Sequence, residues 1–93
     1  MFVLHVKIKM KSGHGPLAEQ VFGGPFKAAI SAQEGFKFVQ FLRPDDGGIY
    51  ILAIGFETQP LQQKWVATDL HTKVWSEMER HFDSYTVNTF TAV

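Results

Sequence analysis

The sequence predicts an α+β domain in which an antiparallel sheet carries helices on one face, in the order β-α-β-β-α-β. Three observations predict it. The chain opens and closes on segments of strand-like alternation. Two internal stretches repeat apolar residues at helical spacing. Between those stretches, two β-rich segments meet at Pro44-Asp45-Asp46-Gly47-Gly48.

Phe2 to Met10 places Phe2, Leu4, Val6, Ile8 and Met10 on one face and Val3, His5, Lys7 and Lys9 on the other, the pattern of a strand with one dry side. Ser12-Gly13-His14-Gly15-Pro16 then supplies turn residues and a rigid helix entry. Leu17, Val21, Phe22, Phe26, Ala29 and Ile30 form an apolar helical stripe. Gly23-Gly24-Pro25 predicts a kink or a break within it, because Pro25 lacks a backbone donor and crowds the preceding turn.

Glu34-Gly35 ends that helix. Phe36 to Arg43 and Ile49 to Phe56 then read as two strands of a hairpin. Ile49 to Phe56 is apolar almost throughout, so both of its faces require cover, and one helical layer can supply only one. Val39, Phe41 and the second face of this strand are therefore expected to pack against another copy of the sheet.

Thr58 is placed to cap a short helix containing Pro60, Leu61 and Trp65, and Asp69 a second one with the stripe Leu70, Val74, Trp75, Met78 and Phe82. Ser84 to Ala92 alternates again and supplies the last strand. The layout is ferredoxin-like, one domain over residues 1–93, with no repeat or linker.

Composition narrows the function. The chain is 45% hydrophobic with nine Phe, enough for a packed core, and its formal net charge of zero argues against nucleic-acid or anionic-membrane partners. The absence of Cys excludes disulfides, thiolate metal sites and cysteine nucleophiles. No apolar run approaches the roughly 20 residues that span a bilayer, so a cytoplasmic protein is expected.

His, Asp and Glu do not cluster at metal-ligand spacing, and no glycine-rich phosphate fingerprint is present, so no metal is expected. His71 and Trp75 lie one turn apart and share a helix side, either at a pocket mouth or at the border of the apolar stripe. Trp65 either lines a pocket or seats its short helix on the sheet. His81, four residues after Glu77, predicts a surface ion pair, and His14 a solvated turn residue. His5, Lys7 and Lys9 either face solvent or line a dimer interior.

Gly23-Gly24-Pro25, Glu34-Gly35-Phe36 and Trp65 within Gln63-Lys64-Trp65-Val66-Ala67-Thr68-Asp69 carry a resemblance to the antibiotic biosynthesis monooxygenase superfamily, nearest its haem-degrading branch. The resemblance covers nearly the whole chain. It implies a homodimer whose sheets face each other as an α+β barrel, with a pocket between helices and sheet in each subunit. The haem-degrading branch places an Asn on the first strand, a Trp before the last helical segment and a His on it. Trp65 stands at the Trp, whereas Val6 stands at the Asn position and Trp75 at the His position, with His71 one turn earlier.

A small cofactor-independent oxygenase acting on a flat apolar or aromatic molecule is therefore expected, with His71 and Trp65 as catalytic candidates. Trp65, Trp75, Val6 and Phe22 are the candidate ligand contacts. No cofactor is called for by any motif, and haem is the ligand or substrate that the resemblance implies. A carrier of haem or another aromatic ligand, and a structural dimer without catalysis, remain alternative expectations.

Overall fold

The computed structural model describes residues Met1–Val93. The elements follow as β1 (Phe2–Met10), α1 (Gly15–Val21), a π-helical turn (Phe22–Phe26), α2 (Lys27–Ser31), β2 (Phe36–Leu42), β3 (Tyr50–Phe56), α3 (Gln59–Val66), α4 (Asp69–Glu79) and β4 (Phe82–Thr91). The strands form one antiparallel sheet in the order β2-β3-β1-β4, so the expected α+β ferredoxin-like layout is present.

The alternation of β1 decides which side is dry. Val6 and Ile8 are buried beneath the helices, opposite Leu52 and Tyr50 of β3. Phe26, Ile30, Phe56, Trp65 and Met78 complete the buried layer. Each such side chain contributes roughly 1.5–3 kcal/mol by leaving water, and together they hold both helical regions on the same sheet face.

The first helical region is not broken at Gly23-Gly24-Pro25. The chain continues through the π-helical turn, where the Lys27 N–H donates to Phe22 O as well as Gly24 O. An α-helix would drive the Pro25 ring into the Val21 carbonyl, and the wider turn relieves that clash.

Thr58 caps α3 as expected, accepting from Leu61 N at 3.4 Å. The cap of α4 is Thr68, not Asp69: Thr68 is extended and its Oγ1 accepts from His71 N at 3.0 Å. Asp69 instead occupies the first turn, where its charge complements the helix dipole. Helix α4 ends at Glu79, so Phe82 opens β4 rather than closing the helical stripe, and Leu70 of that stripe is 45% exposed.

Val39 and Phe41 face the helices, contrary to expectation. Phe41 packs on Phe22 and Tyr50, with ring centroids 5.2 and 5.0 Å apart. A register shift between Phe36 and Phe38 changes which β2 residues look outward, so Phe38 now covers Gly55 on the far face. That face has no helix over it and carries Val3, Phe38, Leu42, Ile51 and Phe90 alongside His5 and Lys7. No helix is long and apolar enough to cross a membrane.

Candidate functional site

Between the helical layer and the β1–β4 half of the sheet lies a cavity of about 170 Å³. Val6 forms part of its floor, because the β1 pleat points it at the helices. Trp65 comes from the last turn of α3 and is 2% exposed, held edge-on by Phe26 at 6.5 Å. His71 and Trp75 come from successive turns of α4, so both reach the same wall. Tyr85, Val87 and Val66 are 40%, 50% and 41% exposed and form the mouth.

His71 sits between the two tryptophans. Its ring meets the Trp65 edge at 5.0 Å and 87° and lies nearly parallel to Trp75, at 6.2 Å and 10°. Burial pushes its pKa below the ordinary 6.5, so the imidazole is neutral near pH 7. A neutral ring offers one N–H donor and one acceptor nitrogen. Trp75 is fixed in turn by Phe82 at 5.7 Å and Tyr85 at 5.5 Å.

The structure brings Val6, Trp65, His71 and Trp75 to one cavity. Phe22, expected as a ligand contact, is not in its wall. The π-helical turn directs Phe22 towards Phe41 of β2, away from β4. Sequence reasoning missed Gln62 and Tyr85, the other polar side chains of the wall. Gln62 lies one turn before Trp65 on α3, a signal that was available. Tyr85 stands opposite Ile8, which requires the β1–β4 register. Its hydroxyl donates to Glu79 Oε2 at 3.0 Å, and this bond, with burial, raises its pKa.

His14 and His81 also depart from expectation. His81 is only 8% exposed, and its Nδ1 lies 3.0 Å from His14 Nδ1 rather than pairing with Glu77. A larger groove of about 520 Å³ lies at the opposite sheet end, near Lys9, Lys11 and Arg43. Its cations are already engaged: Lys9 with Asp83, Lys11 with the Arg80 carbonyl and Arg43 with Glu19. The smaller cavity is the stronger site because apolar walls surround a few convergent polar groups there.

No group of three or more His, Cys, Asp or Glu is placed to hold a metal ion. His71 is the lone imidazole of the cavity wall, and that wall carries no charged side chain.

The whole backbone matches known structures. A Nitrosomonas europaea protein assigned to the antibiotic biosynthesis monooxygenases superposes with a TM-score of 0.85 at 13% identity, over 100% of this chain and 99% of its own. SnoaB, a cofactor-independent oxygenase from Streptomyces nogalater, gives 0.82 at 20%, over 99% and 93%. This chain has the antibiotic biosynthesis monooxygenase fold. MhuD, solved as a point mutant with two manganese protoporphyrin IX molecules per active site, gives 0.82 at 23%, over 100% and 95%. No family model matches the chain, and neither does any curated protein sequence.

Haem fits this cavity poorly. Sites for drug-sized ligands run from roughly 300 to 1,000 Å³, and a porphyrin belongs in the upper part of that range. The cavity holds about 170 Å³ and presents no cation to the propionates.

Proposed function

We propose that this protein is a small oxygenase-like enzyme that seats a flat aromatic molecule against Trp65 and Trp75, without a resident metal or organic cofactor. The observation that carries the proposal is the neutral His71 imidazole held between two indoles in a mostly apolar cavity whose wall carries no charge. The walls exclude water and align the ring, and His71 accepts a proton from a ligand hydroxyl. Loss of that proton enriches the ring in electrons, so the organic molecule itself reduces dioxygen. One oxygen atom bonds to a ring carbon, the other leaves as water with the hydroxyl and ring hydrogens, and the phenol becomes a quinone. The likeness to SnoaB is consistent with this chemistry, and the small cavity with its uncharged wall favours it over haem turnover.

A homodimer belongs to the same proposal. The far sheet face carries Val3, Phe38, Ile51 and Phe90 without a covering layer, and a second copy is the simplest cover.

Tryptophan fluorescence during titration with 1-naphthol, together with oxygen uptake under the same conditions, tests the function. Quenching with oxygen consumption is expected, and His71→Phe should keep the quenching while losing the uptake. Absence of quenching by any aromatic ligand overturns the proposal.

A further inference from the structure

The cavity wall also indicates which ligands it accepts. We infer that it selects uncharged aromatic molecules of one or two rings bearing a hydroxyl or carbonyl group, and that Gln62 is the specificity-determining residue for that group. The inference rests on the proposed function and narrows it.

Size sets the first limit. A cavity of about 150 Å³ is the scale that encloses one benzene ring in a protein interior. The present cavity, at about 170 Å³, encloses one ring and lets a second extend into the mouth beside Val66 and Val87. Three fused rings exceed it.

Charge sets the second limit. Leu4, Val6, Phe26 and Ile54 make the inner wall, and no Lys or Arg lines the cavity. A ligand carboxylate would lose its hydration there without a cation to replace it, at a cost of several kcal/mol.

Polarity sets the third. The backbone N–H of Gln62 donates to the Thr58 carbonyl at 3.3 Å, which anchors the residue in the first turn of α3. Its half-buried side chain contributes to the cavity wall on the same helix side as Trp65 and Val66. A primary amide both donates and accepts, and neutral His71 does likewise. A ligand hydroxyl can therefore donate to His71 and accept from Gln62 Nε2, whereas an unsubstituted ring leaves both groups without partners. One neutral hydrogen bond contributes about 0.5–1.5 kcal/mol, so the discrimination expected from Gln62 is up to about ten-fold in affinity.

Calorimetric and fluorescence titrations of the purified protein with 1-naphthol, naphthalene, 1-naphthoate, a three-ring phenol and haemin test each limit. 1-Naphthol is expected to bind about ten-fold more tightly than naphthalene, with no binding of naphthoate, the three-ring phenol or haemin. Gln62→Leu should bring the 1-naphthol affinity down towards that of naphthalene while naphthalene binding persists, which a merely structural role would not produce. Gln62→Glu should lower 1-naphthol affinity by burying a charge, and its circular dichroism spectrum reports whether the fold is retained. Equal binding of naphthol and naphthalene, or unchanged discrimination in a folded Gln62→Leu protein, overturns the role of Gln62 but leaves the proposed function standing. Tight binding of haemin or naphthoate overturns the size or charge limit. Binding by none of the ligands overturns the proposed function itself.

Discussion

His14 and His81 meet Nδ1 to Nδ1 at 3.0 Å, across the junction between the β1–α1 turn and the start of β4. A contact of that length holds one proton, since one nitrogen must donate and the other accept. The charged groups acting on His81 are Lys11 and Arg80, both cationic, with the Lys11 ammonium on the Arg80 carbonyl at 2.9 Å. Burial, then His14, Arg80 and Lys11, push the His81 pKa below 6.5.

A base whose folded pKa is depressed favours folding fully above its unfolded value. The unfolded chain takes up its proton first as pH falls, so that stability is lost from 6.5 downward to the lower folded value. The thermal midpoint should therefore decline as pH falls through and below 6.5. His81→Phe should flatten this decline, and an unchanged slope would show that the pair does not govern it.

Glu19 gives a second, more acidic transition. It accepts from Arg43 Nε at 2.9 Å and from Tyr50 Oη at 2.6 Å, and these bonds lower its pKa from 4.5 to about 2. Its contribution is complete above 4.5 and is lost as pH falls from there towards about 2. Glu19→Gln should reduce the steepness of acid unfolding in this window. Circular dichroism along an acid titration of both proteins measures it.

Two glycines at positive φ separate backbone strain from crowding. Gly13 at +77° has open space where a Cβ would stand, whereas at Gly35, at +78°, a Cβ would lie 2.5 Å from Leu61 Cδ1. Ala at either position costs roughly 1–2 kcal/mol of left-handed strain, and at Gly35 the Leu61 side chain must also shift. Gly35→Ala should lower the thermal midpoint more than Gly13→Ala, with each kcal/mol corresponding to roughly 4–8 °C. Equal shifts would mean that Leu61 moves aside without cost.

The dimer prediction is read on the far sheet face. Phe38→Asp or Phe90→Asp should shift the protein towards a monomer in light scattering, because each places a charge on the uncovered apolar surface. Phe41→Asp should instead unfold the protein, since Phe41 packs on Phe22 and Tyr50 within the helical side. A monomeric wild-type protein at micromolar concentration would sink the dimer.

Local patterns made much of the fold legible. The alternation of β1 identified Val6 and Ile8, and Thr58 marked the start of α3. Alternation could not place Val39 and Phe41, because the register shift after Phe36 changes facing without leaving a mark in composition. Trp65, His71 and Trp75 were legible as candidates because they are close in sequence and helical spacing relates them. The His14–His81 contact spans 67 positions and depends on the packing of a turn against a helix end, which periodicity does not encode.

The π-helical turn at Phe22–Phe26 makes the length of its helix part of the design. Such a turn accommodates one residue more than an α-turn, as a single insertion would. Removing Gly23 or Gly24 would restore regular winding but rotate α1 by about 100° relative to α2, at 3.6 residues per turn. Ala18, now fully buried, would leave the sheet, and the Pro25 ring would again meet the carbonyl four positions before it. Substitution of either glycine is sterically open, since nothing lies within 4 Å of a Cβ at these positions. The segment therefore tolerates changes of residue type far better than a change of residue number.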